Sequence, residues 1–148
     1  MGDSAAAAWP VDGSGRLAGM HVFADSVDGP VLAGMIRFEG ARGRLGTFRY
    51  DRDWLARPDA APLAASGLPL RTRACQSVPP HELPLPFYDA SPDGWGKAIL
   101  AMAYPDVPLA APEYIAAAGG DRVGHLQFGP DASGPAIWVP SPALLDLP

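Results

Sequence analysis

One cysteine, one lysine and no long apolar run are the first features of this 148-residue sequence. Cys75 alone closes no internal disulfide and cannot assemble a cysteine-based zinc site. A chain that uses one thiol and no disulfide is expected in the cytoplasm. No stretch approaches the roughly 20 apolar residues that a membrane span needs. The segment Met1 to Trp9 has Asp3 where an export signal carries basic residues, and its alanine run is too short for an export core. Positive charge is scarce as well: 11 basic residues face 16 acidic ones, for a net charge of −5. No global field therefore exists to hold a phosphate backbone, which disfavours direct nucleic-acid binding. Lys97, the sole lysine, would have to be the positioning lysine of any phosphoryl-transfer site, yet it falls in a helical pattern rather than on a strand.

Against these absences stand 48% hydrophobic residues, 18 prolines and 17 glycines. That much apolar material supports one core, and the proline and glycine content then reads as rigid turns rather than disorder. Residues 1–19 are expected to be a flexible leader, residues 20–140 a single domain, and residues 141–148 a proline-rich tail. A first strand is expected at 20–25, where Met20, Val22 and Ala24 alternate with His21, Phe23 and Asp25. Val27 to Pro30 is a turn signal, residues 31–38 a second strand, and Leu45, Phe48 and Tyr50 mark a third. Asp51 is placed to cap a short helical turn carrying Trp54 and Leu55, stopped by Pro58.

From Pro58 to Pro86 the proline density forbids a helix or a central strand, so an extended wrap anchored by Leu63, Leu68 and Leu70 is expected. Helical spacing follows Pro92, with Trp95, Ile99, Leu100 and Met102 near one face. A second short helix spans Pro112 to Ala118, with proline in its first turn and Gly119-Gly120 as its stop. Closing strands are expected at 123–128 and 136–139. The fold class is thus α+β: a mainly antiparallel small sheet, or a partly open barrel, with two short helices.

Catalytic constellations are thin. His21, His81 and His125 lie far apart, without the H-x-x-H or H-E-x-x-H spacing of a metal site. Neither glycine set, Gly13, Gly15 and Gly19 or Gly40, Gly43 and Gly46, has phosphate-loop spacing, and turns explain both. Asp89 and Asp93 flank Ser91-Pro92 and could act as an acid and base pair. The simpler reading is that they cap loose amides at the start of a helix. Trp54 and Trp138 read as core. Trp95 sits between Gly94 and Gly96 at a loop-to-helix junction, where its ring can serve either the core or a partner's cleft.

Three segments in order resemble the N-terminal subdomain of the HipA toxin-kinase family. The first runs from Phe48 to Leu63 and on through Gly67-Leu68-Pro69-Leu70-Arg71, with Gly67 where that family more often has serine. The second is Phe87-Tyr88-Asp89-Ala90-Ser91-Pro92-Asp93-Gly94-Trp95-Gly96-Lys97, and the third is Gly119 to Phe128. The resemblance as a whole covers roughly residues 20–140, and it stops where a full-length member enters its kinase half.

The resemblance implies a stand-alone, HipS-like antitoxin module: no enzyme and no cofactor, but a protein that docks on and restrains a separate serine/threonine kinase toxin. A helix-turn-helix antitoxin that binds DNA is a further implied partner. The expected contact face comprises Phe87, Tyr88, Asp93 and Trp95, with the indole as anchor and the carboxylate competing for basic groups of the kinase. Two other readings stand beside this one. The chain is the front piece of a split or truncated kinase toxin, inactive alone, or it is a small hydrolase using Asp89 and Asp93.

Overall fold

The computed structural model describes residues 9–13, 16–27, 29–40, 44–64, 67–79, 81–90, 101–103, 109–118 and 126–136, with the backbone alone at 88–90 and 118. Strands β1 (Gly19–Ser26), β2 (Gly29–Glu39) and β3 (Leu45–Tyr50) form an antiparallel meander. All three expected strands are present, with β1 and β2 longer at both ends than the alternation suggested. Met20, Val22 and Ala24 point into the core, as their period of two requires. The β1–β2 register shifts between Val22 and Phe23, so that Ala33 has no partner in β1. Its carbonyl accepts instead from the Asp51 amide at 2.8 Å, which ties this bulge to the end of β3.

Asp51 caps α1 (Arg52–Leu55), its carboxylate accepting from the Asp53 amide at 3.0 Å. The chain then wraps the sheet, as its prolines require. The Tyr50 hydroxyl staples the wrap, donating to the Leu68 carbonyl at 2.6 Å and accepting from the Leu63 amide at 3.0 Å. Burial pushes the Tyr50 pKa up, against the smaller opposing effect of the Leu63 N–H. Leu63 and Leu68 are buried anchors, whereas Leu70 is exposed and anchors nothing. The wrap adds strand β4 (Cys75–Gln76) to the outer edge of β3.

Gly67 lies in this wrap at φ +88°, and a Cβ built there would sit 2.8 Å from Pro86 Cγ. Backbone and space at this position therefore both favour glycine. Gly67→Ser is expected to cost about 1–3 kcal/mol, seen as a lowered melting temperature. An unchanged melting temperature would show that the loop adapts without strain.

Beyond the wrap come a 3-10 helix (Leu85–Ala90), then α2 (Ala111–Ala118) and strand β5 (Leu126–Gly129), which pairs antiparallel with β1. The sheet order is β4-β3-β2-β1-β5. The sheet is open, which makes the fold α+β and settles the choice between sheet and barrel. The helix expected after Pro92 falls largely on residues 91–100, outside those described. Residues 101–103 are helical, and Met102 there is exposed rather than turned inward. Of the two expected closing strands, the first appears as β5. Ala136 is not in a strand but donates to the Phe128 carbonyl at 2.9 Å, while residues 123–125 and 137–139 lie outside the described residues.

Packing begins before Met20. Leu17 is fully buried, Trp9 packs on the core, Val11 bridges to Leu17, and the Ala18 amide donates to the Pro10 carbonyl at 2.9 Å. Residues 9–13 and 16–18, grouped by sequence with a leader, thus pack against the fold on the approach to β1. Their apolar residues are too widely spaced for a periodic signal, but Trp9 and Leu17 find places on the core, while Val11 stays exposed.

A buried ionic cluster fastens this approach. Glu113 of α2 has no exposed surface and accepts from both terminal nitrogens of Arg44, at 2.5 and 2.7 Å. It also accepts from the backbone amides of Leu17 at 2.8 Å and Ala110 at 3.2 Å. Arg44 reaches the Leu17 carbonyl at 3.1 Å and Glu82 at 2.9 Å, and Arg16 meets Glu82 at 3.4 Å. Burial alone would lower the Arg44 pKa, yet its hydrogen bonds to Glu113 and Glu82 outweigh that and raise it. One carboxylate thereby joins the approach segment, the start of β3 and α2.

Candidate docking site

The three sequence segments that carry the family resemblance each contribute one phenylalanine to the core. Phe48 of the first meets Phe87 of the second edge-on at 5.2 Å between centroids, and Phe87 meets Phe128 of the third at 6.3 Å. Tyr50 adds an edge contact to Phe48 at 4.8 Å. All three phenylalanines are buried. Separations of 4.5–7 Å with steep interplanar angles are the favoured arrangement of aromatic pairs. In this chain the rings of the three segments form one spine.

Phe87 is therefore an internal residue. Sequence placed it with Tyr88, Asp93 and Trp95 on a contact face, but its ring has no exposed surface, because Phe48 and Phe128 enclose it. Its effect on the outside is positional. The Phe87 amide donates to the Pro84 carbonyl at 3.0 Å, and Leu83 and Phe87 both point inward, clamping the 3-10 helix to the sheet. Leu85, between Pro84 and Pro86, faces out with 62% of its surface exposed. Sequence reading passed over it; a leucine held between two prolines was the available signal. The side chains of Tyr88 and Asp89, and the whole of Asp93 and Trp95, lie outside the described residues. So do Lys97, His125 and Trp138. Trp54 is in the core, as expected.

The opposite face of the sheet is open over much of its area. Register places His21, Met35 and Arg49 in one cross-strand row, and Arg37, Thr47 and Gln76 in the next. All of these but Gln76, together with Leu32, Glu39, Asp51, Arg52 and Ala132, line a groove of about 500 Å³. One end of this face is closed: Phe23 is buried beside Gly129, whose own neighbour is the Gly134 carbonyl in the turn after β5. No group of three or more His, Cys, Asp or Glu residues that could hold a metal ion occurs among the described residues. No helix among them is long and apolar enough to cross a membrane.

His21 sits where the closed and open parts of this face meet, and its Nδ1 is buried without a hydrogen-bond partner. Burial lowers its pKa, and the nearby carboxylates of Asp131 and Asp51 only partly offset that. The unfolded chain takes up this proton near the ordinary value of 6.5, before the folded chain does. The stability contributed by neutral His21 is thus complete above that pH and is lost as pH falls through the lowered folded value. His21→Asn is expected to flatten the rise in urea midpoint between about pH 5 and 7. An unchanged slope would place the titration elsewhere.

Neither the curated proteins nor the solved structures include a match to this chain. The model of the HipA N-terminal domain does match, over residues 27–129, which span β2 through β5 and contain the whole aromatic spine. That span is more than half of the chain, and with it the segment resemblance, the open antiparallel sheet and the spine agree: this chain belongs to the HipA N-terminal domain family.

Proposed function

We propose that this chain is a non-catalytic module of a HipA-type toxin–antitoxin system, which docks on a separate serine/threonine kinase toxin and restrains it. The observation that carries the reading is the spine of Phe48, Phe87 and Phe128. It draws the three family segments into a core that closes within the chain, so the domain has what it needs to fold without a kinase half. The family matched is an N-terminal domain and not a kinase core, which is compatible with a non-catalytic role.

The docking face is the surface that follows the clamped 3-10 helix. Exposed Leu85 leads into Tyr88, Asp93 and Trp95, so an apolar contact, an indole anchor and a carboxylate lie close in sequence behind one rigid turn. A helix-turn-helix antitoxin is the third member of such a system, and it supplies the DNA contact that the net charge of −5 disfavours here. Titrating the purified chain into the separately encoded kinase tests the proposal. Phosphorylation is expected to fall and to level off at a fixed molar ratio. Kinase activity that is unaffected, or that rises, rejects restraint.

A further inference from the structure

The groove on the open sheet face has an electrostatic character that the rest of the chain does not share. Arg37, Arg49 and Arg52 line it, and each is exposed. Arg37 and Arg49 are diagonal neighbours on adjacent strands, since Arg37 pairs with Thr47 and Met35 with Arg49. Like charges at that spacing repel each other. The usual remedy is a carboxylate between them, and the chain has acidic residues in excess. Yet none of these three guanidiniums forms an ion pair with a described residue. Asp51 is engaged in capping α1, and among the described residues Glu39 forms no salt bridge and the Arg49 side chain has one polar contact, a long one of 3.5 Å to the Thr72 carbonyl.

The floor between these charges is partly apolar, formed by Leu32, Met35 and the edge of Tyr50. A groove of about 500 Å³ accommodates a few side chains rather than a domain face. We infer that this groove is a second docking surface, built for a short acidic peptide segment of a partner protein: carboxylates pair with Arg37, Arg49 and Arg52 while an apolar side chain sits on Met35. Charge complementarity selects this occupant. A nucleic acid needs a longer positive track, and the net charge of −5 opposes its approach, whereas a peptide with two or three carboxylates satisfies the three arginines and adds the apolar contact. The inference is independent of the proposed kinase contact, and exposed Leu85 does not line this groove.

The test uses the full chain and a fluorescein-labelled peptide of sequence Glu-Glu-Leu-Glu-Glu, followed by anisotropy at low salt, with backbone amide shifts to locate the site. Binding is expected to move amides of β2 and β3 and to weaken with salt. In the double variant Arg37→Glu/Arg49→Glu it should fall by about tenfold or more, with the melting temperature unchanged. Replacing leucine by serine in the peptide should weaken binding further. Absence of binding, or equal binding by the double variant, overturns the inference. So does tighter binding of a short oligothymidylate with the same arginine dependence, which would make the occupant a nucleic acid.

Discussion

Glu113→Ala is expected to lower the stability of the fold by about 3–5 kcal/mol, the usual cost of breaking a buried ion pair from one side. Against a total of about 5–15 kcal/mol for a domain, that is a large share of what holds the chain folded. The cost has three physical parts. Arg44, 7% exposed, keeps its charge but loses its bidentate partner and retains Glu82 and the neutral Leu17 carbonyl. The Leu17 amide loses its acceptor in a buried place, and Ala110 loses the one that caps the start of α2. Removing both charges together, as Glu113→Leu with Arg44→Met, is expected to cost much less than the sum of the single changes, because no orphaned charge remains. Urea unfolding of the two singles and the double measures this. A loss under about 1 kcal/mol for Glu113→Ala, or additive losses in the pair, would show that water replaces the missing partner.

Trp95→Ala is expected to weaken binding to the kinase toxin by about 30-fold or more, the range of a tryptophan anchor at the centre of an interface. The fold itself should be little affected, so the melting temperature is expected to stay close to that of the parent. Phe87→Ala provides the contrast. Its ring lies between Phe48 and Phe128 inside the core, so its removal should cost about 3–5 kcal/mol of stability as well as binding. Calorimetric titration of each variant against the kinase, beside a thermal melt, separates an anchor that touches the partner from one that holds the docking segment in place. Unchanged affinity for Trp95→Ala would remove the indole from the interface and leave Leu85 as the candidate contact.

Much of the fold is legible in the residues because the signals are local. The alternation of Met20, Val22 and Ala24, the turn at Val27 to Pro30, and Asp51 ahead of Trp54 are each read within a few positions, and each corresponds to an observed element. The wrap from Pro58 to Pro86 is legible for the opposite reason, since proline excludes the alternatives. What escapes a linear reading depends on distance. Glu113 and Arg44 are 69 residues apart, and nothing near either one announces a buried pair. Leu17 stands alone among small and polar residues, so its burial follows only from the core into which the Glu113 cluster draws it. Phe87 shows the same limit at the candidate site. Its neighbours in sequence mark it as part of a contact motif, while its neighbours in space make it core. The groove of Arg37, Arg49 and Arg52 likewise arises only when β2 and β3 are set in register beside the start of α1.

Co-expression with a HipA-type kinase toxin, scoring cell growth and co-purification in one experiment, tests the account most directly. Restraint by docking predicts that growth is rescued and that the two proteins purify as a stable complex, with rescue lost in Trp95→Ala. Toxicity that appears only when this chain is present would contradict it and make the two proteins halves of one split toxin.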